Sequence, residues 1–384
     1  MMKKKKVVFF INGLYGGGAE KVLQTLLQHI NYDKFEITLY SVNKGDLNSS
    51  YPNNIKYHYV FDSCKPSASI YEKFLVRLKN KVKLWVYEHF SPKTFYRLFI
   101  KGKYDTEVAF IEGYATRIVG GSTNPESKKI AWVHIDLEQN HWTKVAYQSL
   151  IEEKQTYRVF DLVCAVSKSV LKVTNELFPG IRQLLVVHNP IDERFILGRA
   201  QVPFDNIKWI QNSFTFVSVG RLVHQKGYDL LLPIFKRLID EGYPVSLNIL
   251  GTGCDKEHLE NFILENKLSS HISLLGYIDN PYSYIAKADI FVVSSRSEGY
   301  STVVSEALIL GIPVISTNCA GMNELLGENS EYGMLADNTP EALYTAIKEL
   351  LENKQLYSYY KNKAKERGEQ FHLSSLMTNI ENIL

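Results

Sequence analysis

A short apolar run, a glycine-bearing turn and a helix-periodic segment succeed one another along most of this chain, an order that parallel α/β sheets accommodate and few other folds do. The first instance is Val7 to Ile11, then the stretch Gly13 to Gly18, then Ala19 to Ile30, in which Val22, Leu23, Leu26, Leu27 and Ile30 share a helical face. Phe35 to Val42 follows within the spacing of a βαβ unit, which predicts a parallel neighbour and puts the glycine loop at the carboxyl edge of the sheet. Further strands are expected at Thr106 to Ile111, Lys129 to Val133, Leu162 to Val166 and Leu184 to Val187. Short runs of this kind could individually be buried helix pieces, but their length and Val/Ile content favour strands.

The pattern breaks at His188-Asn189-Pro190-Ile191-Asp192, and the text stays polar and aperiodic to Ser213. A fresh alternation then starts: strand Phe214 to Val219, helix Tyr228 to Asp240, strand Val245 to Leu250, helix Lys256 to Asn266 and strand Ile272 to Leu275. It continues with Ile290 to Val293, a helix Thr302 to Leu310, Pro313 to Ser316 and a helical end from Pro340. A length of 384 residues exceeds the roughly 250–300 at which a single core stops growing, and a hydrophobic fraction of 45% can fill two. The expected organisation is one doubly wound domain over 1–192, a linker over 193–212, a second such domain over 213–367 and a closing helix over 368–384.

Several classes fall away. A net charge of +3 is too small for a whole-molecule nucleic-acid argument. Cys64, Cys164, Cys254 and Cys319 are scattered, with no metal-ligand spacing and no disulfide framework, so reduced cytosolic thiols are expected. Lys3 to Lys6 could open a signal peptide, yet the apolar run behind them ends at Ile11. No stretch nears the roughly 20 apolar residues of a membrane span, so any membrane association would be peripheral.

Three loops carry candidate chemistry. Gly13-Leu14-Tyr15-Gly16-Gly17-Gly18 could bring backbone amides, Gly17 and Gly18 among them, to an anion at a helix N-terminus, or could merely make a tight turn. It lacks the G-x-G-x-x-G spacing, and the second strand ends in Val42-Asn43-Lys44 without an acidic ribose partner, which disfavours a nicotinamide enzyme. In Gly220 to Gly227, Arg221 and Lys226 stand five residues apart on a loop and can converge on a diphosphate, although such pairs are often only solvated. Glu298-Gly299-Tyr300-Ser301-Thr302 through Glu306 places two carboxylates eight apart around a helix start, where the amides of Tyr300 to Val303 favour an anion. A plain dipole-complementing Glu298 and an exposed Glu306 are the bland alternative.

Together these segments resemble the retaining GT-B glycosyltransferases of family four, the glycosyl transferases group one. Gly16 to Glu20, Ala165 to Ser169, Asn189 to Asp192, Gly220 to Gly227, Leu250 to Gly253, Leu275 to Tyr277 and Glu298 to Ile315 carry the resemblance, densely from Phe214 to Asp337 and more weakly before it. It implies GT-B architecture, two Rossmann-like domains facing across a cleft, with the acceptor on the N-terminal side and a nucleotide-diphosphate sugar on the C-terminal side. By position in the motif, Glu298 would hold donor-sugar hydroxyls, Glu306 the ribose, and Arg221 with Lys226 the diphosphate. Gly251 and Tyr277 would lie near the base, and His134, closing Trp132-Val133-His134, would be the active-site histidine. The absence of any D-x-D agrees with the metal independence the family implies, and no cofactor is expected.

The resemblance further implies transfer of a hexose or N-acetylhexosamine with retention, UDP-sugar being the first expectation, to a glycan or lipid-linked acceptor in bacterial surface-polysaccharide or glycoconjugate assembly. Lys73 to Lys103 interleaves cations with aromatics, which suits an anionic membrane surface at the inner face of the cell membrane. A helical insertion whose aromatics pack on the first domain fits the same text equally. A nucleotide-sugar epimerase and a non-catalytic partner subunit are the rival readings. The first lacks a visible acid/base set, and the second sits poorly with intact Arg221, Lys226, Glu298 and Glu306.

Overall fold

The computed structural model describes residues 3–45, 47, 51–64, 67–203 and 213–384. It divides into two units, Met1–Pro190 with Ser374–Leu384, and Ile191–Leu373. The first unit runs β1 (Lys5–Ile11), α1 (Gly18–His29), β2 (Phe35–Asn43), β3 (Lys56–Phe61), α2 (Ile70–His89), α3 (Pro92–Phe99), β4 (Thr106–Ala109), α4 (Tyr114–Gly120), β5 (Lys128–Val133), α5 (Leu150–Arg158), β6 (Leu162–Ala165), α6 (Lys168–Leu177) and β7 (Leu184–Val186). Its strands form one seven-stranded parallel sheet in the order β3-β2-β1-β4-β5-β6-β7. β1 is buried from Val7 to Ile11 without alternation because helices cover both faces, as parallel sheets require. On α1, Val22, Leu23, Leu26 and Leu27 are buried, each such side chain contributing about 1.5–3 kcal/mol.

The second unit runs α7 (Glu193–Ala200), β8 (Phe214–Val219), α8 (Tyr228–Asp240), β9 (Val245–Leu250), α9 (Lys256–Glu265), β10 (Ile272–Gly276), α10 (Tyr282–Ile285), β11 (Ile290–Val293), α11 (Thr302–Ile309), β12 (Val314–Thr317), α12 (Met322–Leu326), β13 (Met334–Ala336), α13 (Pro340–Glu352) and α14 (Lys354–Gly368). Its six parallel strands are ordered β10-β9-β8-β11-β12-β13, around a core that includes Phe216, Leu231, Phe235, Leu247, Ile290 and Ile347. Helix α15 (Leu373–Ile383) belongs to the first unit. Ile380 is buried, Glu381 takes the Asn31 amide at 2.9 Å and the Lys34 ammonium at 3.1 Å, and the carbonyl of Ile383 accepts from Lys128 Nζ at 2.6 Å.

Two strands and a helix depart from the pattern read in the sequence. β3 is half exposed along Lys56-Tyr57-His58-Tyr59, as an edge strand can be, and so offers no apolar run. β13 is three residues long. The segment 193–212, expected as a linker, opens instead with α7, because Asp192 caps it through the Phe195 amide at 2.9 Å and Ile196 is buried. Its stretch 204–212 lies outside the described residues. All four cysteines are free, and no helix of the described residues is long and apolar enough to cross a membrane.

Each strand order reverses direction once, between β1 and β4 in the first sheet and between β8 and β11 in the second. Open α/β sheets bind ligands in the crevice outside the carboxyl ends at such points. The loops leaving those four strands are therefore where polar side chains can act.

Candidate functional site

In the second unit the chain leaves β8 through Gly220 and a single 3-10 turn, His224–Lys226, to Gly227. Gly227 has φ 66°, and a Cβ there would come within 2.0 Å of the Ser294 carbonyl, so only glycine lets this loop lie against the loop that leaves β11. The contact is stitched by Ser294 Oγ to the Lys226 carbonyl (2.9 Å), the Arg296 amide to the Gln225 carbonyl (2.8 Å) and Gln225 Nε2 to the Ser297 carbonyl (2.8 Å). Arg296 also donates to both oxygens of Asp229 at 2.7 Å and to the His224 carbonyl at 2.7 Å. This fork holds the Asp229 carboxyl below its ordinary range.

Seated in that frame, Glu298 Oε1 accepts from Lys226 Nζ at 2.6 Å and from Ser295 Oγ at 2.6 Å. The paired side chains are 18% and 11% exposed, and a pair this shielded costs about 3–5 kcal/mol to break from one side. Thr317 Oγ1 fixes the same loop by donating to the Ser295 carbonyl at 2.6 Å. Arg221 is exposed on the same loop as Lys226 and has no ion-pair partner among the described residues.

Tyr300 is buried, which pushes its phenol up, and Ser301 caps α11 without a side-chain capping bond. Thr302 opens that helix and Glu306, on its second turn, is buried. The hydroxyls of Ser297 and Ser301 are buried and make no hydrogen bond among the described residues. Gly299 lies under Gly321, where a Cβ would meet its carbonyl at 2.3 Å. Gly251 serves close packing in the same way: a Cβ would meet the Gly220 carbonyl at 1.9 Å, and its amide donates to the Gly276 carbonyl at 2.7 Å. Tyr277, next after Gly276, is exposed.

In the first unit, the loops leaving β1, β4 and β5 meet around Glu112. Its Oε2 accepts the His134 amide at 2.9 Å and its Oε1 the Trp142 indole at 3.3 Å, while Asn12 donates to its carbonyl at 3.4 Å. Burial pushes the Glu112 carboxyl up, against the pull of those N–H groups. Burial also pushes His134 down to about 4, so the ring is neutral near pH 7; its Nε2 is buried and makes no hydrogen bond among the described residues. The ring packs on Phe110 with centroids 5.0 Å apart.

The glycine loop differs from the sequence expectation in one respect. The amides of Tyr15 and Gly17 donate to Glu20 Oε2 at 2.6 and 2.9 Å, so the chain's own carboxylate satisfies two donors expected to face an anion. Only Gly16, at φ 81°, needs to be glycine for its backbone, and nothing stands within 4 Å of a Cβ at Gly18. Sequence reasoning missed Glu112, Asn12, Ser295, Ser297 and the Arg296–Asp229 fork. The signal for Glu112 was an acidic residue closing the apolar run Val108 to Ile111. Among the described residues no group of three or more His, Cys, Asp or Glu is placed to hold a metal.

Two doubly wound units, each built on a parallel sheet with a polar cluster at its switch point, are the parts of a GT-B-type protein, and the comparisons show that fold. The family model for glycosyl transferases group 1 matches residues 204–367. An N-acetylgalactosamine-N,N'-diacetylbacillosaminyl-diphospho-undecaprenol 4-alpha-N-acetylgalactosaminyltransferase from Campylobacter jejuni is 30% identical over 375 residues, 96% of each chain. A capsular polysaccharide biosynthesis glycosyltransferase, CapM of Staphylococcus aureus, is 25% identical over 190 residues, 48% of this chain and 49% of CapM. Among solved structures, HepE of Anabaena with UDP-glucose superposes with TM-score 0.72 at 18% identity over 98% of both chains. Sucrose-phosphate synthase from Thermosynechococcus elongatus does so with TM-score 0.75 at 15% identity, over 99% of this chain and 98% of that one. The chain belongs to the group 1 glycosyltransferases, and it is a glycosyltransferase of GT-B fold.

Proposed function

We propose that this enzyme moves a hexose or N-acetylhexosamine from a nucleotide-diphosphate sugar, UDP-sugar by preference, to a lipid-linked glycan, with retention of configuration and without a metal. The observation that carries the reading is the Lys226–Glu298 pair, set by two interlocked loops at the switch point of the second unit beside the exposed Arg221. Lys226 and Arg221 take the diphosphate, Glu298 the sugar hydroxyls and Glu306 the ribose. The α11 N-terminus from Tyr300 to Thr302, with the Ser297 and Ser301 hydroxyls, meets the phosphate-to-sugar link. Gly251 and Tyr277 flank the base, and Gly299 keeps the backbone close.

In the transfer, the bond from sugar C1 to the phosphate oxygen breaks and its electron pair leaves on the nucleoside diphosphate. The acceptor oxygen forms the new bond to C1 on the same face, and its proton passes to the departing phosphate. Lys226, Arg221 and the helix amides act most strongly on the charge that grows as the bond breaks, which is where stabilisation raises the rate. In the first unit we assign the acceptor side to Gly17, Gly18 and His134, whose ring burial holds neutral. UDP-glucose in HepE supports the choice of base, and the diphospho-undecaprenol acceptor in the Campylobacter enzyme's name supports a lipid-linked acceptor and work at a membrane surface.

The test is binding and hydrolysis of UDP-, GDP- and ADP-sugars in EDTA, for wild type, Lys226→Ala and Glu306→Ala, with the released anomer read by NMR. Selective binding of one sugar nucleotide, weakened by both substitutions, is expected. Binding of none, or indifference to both substitutions, would leave a non-catalytic partner subunit as the better reading.

A further inference from the structure

Helix α2 is 20 residues long and buries only Val86 and Tyr87. At ~100° per residue, Val76, Asn80, Lys83 and Tyr87 fall on one side. That side faces the fold, because Asn80 exchanges hydrogen bonds with the Asp62 backbone at 3.1 and 2.8 Å, Lys83 donates to the Val60 carbonyl and Tyr87 donates to the Ala146 carbonyl at 2.8 Å. The opposite side carries Tyr71, Phe74, Leu78, Val82 and Trp85, which are 70%, 60%, 48%, 52% and 53% exposed. The aromatics of α3 behave differently, for Phe95 and Tyr96 are buried. The apolar stripe of α2 is therefore not a core face.

Charge says what can cover it. Residues 70–103 hold nine Lys or Arg against two Glu, a net +7, so the rest of a chain of net +3 sums to −4. Arg77 and Lys81 border the stripe on one flank and Lys79 on the other. Two such faces would repel across a dimer, whereas a negatively charged surface with an apolar interior matches both features at once.

We propose that α2 lies in the plane of an anionic bilayer, its stripe from Tyr71 to Trp85 below the headgroups and Arg77, Lys79 and Lys81 on lipid phosphates. At ~1.5 Å per residue the stripe from Tyr71 to Trp85 lays about 21 Å of contact along the surface. The purpose of this docking rests on the lipid-linked acceptor reading; its substance rests on the geometry of α2 alone.

The experiment is flotation of the full chain with vesicles of phosphatidylcholine alone or mixed with phosphatidylglycerol, at low and high salt. It is paired with Trp85 fluorescence against brominated lipid, using Trp85→Phe to isolate that residue. The substitutions Phe74→Ser with Leu78→Ser, and Arg77→Glu with Lys81→Glu, all lie at exposed positions, and circular dichroism melts verify the fold. Wild type is expected to float only with the anionic mixture and to show quenched Trp85, and each double variant to bind roughly tenfold more weakly or worse. Failure to float, equal binding to both lipids, or a dimer in solution that the serine variant disperses would overturn the proposal, the last in favour of a second copy.

Sugar-nucleotide hydrolysis measured in solution on the same proteins separates the two readings. Lost flotation with unchanged hydrolysis supports docking through α2. Intact flotation without hydrolysis defeats the transferase reading and leaves the docking in place.

Discussion

The two carboxyl edges of this protein solve the same topological problem with opposite electrostatics. In the second unit, opposite charges meet on neighbouring loops: Lys226 with Glu298 at 2.6 Å, and Arg296 with Asp229 through two 2.7 Å bonds. In the first, a buried carboxylate, Glu112, is met by N–H groups of His134 and Trp142, and burial drives its carboxyl up and the His134 imidazole down. Both shifts favour the uncharged form. The contrast shows one architecture making an edge of paired opposite charges and another edge that offers hydrogen bonds while holding charge out. It also fits the proposed division of labour, in which the second unit meets the diphosphate and the donor's hydroxyls and the first meets the acceptor.

Removing the cation should break this contrast most severely. Lys226→Ala is expected to lower kcat about 100- to 1000-fold, the loss of about 2.7–4 kcal/mol typical of a group that meets developing negative charge. Glu298→Ala should be similarly damaging, and the double variant far less than additive, because each single change strands the other charge. Initial rates for the four proteins test this; a Lys226→Ala enzyme within a few-fold of wild type would mean the second edge does not act on the leaving group.

The first edge is tested by its pH dependence. Folded His134 takes its proton only near pH 4, whereas an unfolded histidine does so near 6.5. Between those values the unfolded state binds more protons, so this contribution is fully present above about 6.5 and is lost as pH falls toward 4, by at most about 3 kcal/mol. The readout is the difference in unfolding free energy between wild type and His134→Gln across that window. A difference that stays flat would show that the ring is not held neutral by burial.

A smaller effect is expected at Glu306. Its replacement by Ala should weaken nucleotide-sugar binding by about 1.5–3 kcal/mol, the value of a hydrogen bond to a charged group, and leave kcat with the saturated donor largely intact. Titration calorimetry with the preferred donor would show this as a raised Kd. A fall in kcat with Kd unchanged would move Glu306 from holding the ribose to the reacting centre.

How much of this could be read from sequence follows from what each feature needs. The strands of both sheets announced themselves wherever helices bury both faces, as in Val7 to Ile11, and failed to at β3, whose outer positions are polar. The residues of the second edge fall in two short stretches, Arg221 to Lys226 behind β8 and Glu298 to Glu306 behind β11, each following a buried strand, so Arg221, Lys226, Glu298 and Glu306 stood out. The first edge was nearly silent. Asn12, Glu112 and Trp142 come from three separate connections, and only the pairing of β1 with β4 and of β4 with β5 brings the first two to His134. In the segment 73–103 the sequence left two readings open: α3 buries Phe95 and Tyr96, as packing on the first domain requires, while α2 leaves Tyr71, Phe74 and Trp85 exposed, and the membrane reading of that helix stands as the proposal above.

The mildest test asks whether the interlocking of the two second-unit loops is itself part of the chemistry. In Asp229→Asn the guanidinium of Arg296 keeps its bond to the His224 carbonyl but loses the charged fork. Because these side chains are 26% and 32% exposed, the fork is worth about 1 kcal/mol, which for a unit of this size lowers Tm by about 2–4 °C. The hydrogen bonds from Arg296, and then its charge, hold the Asp229 carboxyl below its ordinary value of 3.8, so the contribution is present above that pH and is lost as pH falls below it. Lys226 and Glu298 are still positioned by Gly227, Ser294 and Ser295, so the turnover of Asp229→Asn should stay within a few-fold of wild type. If turnover instead fell as far as in Lys226→Ala, the fork would be setting the ammonium's position, and the charged edge would be one cooperative unit, not a catalytic pair resting on a separate scaffold.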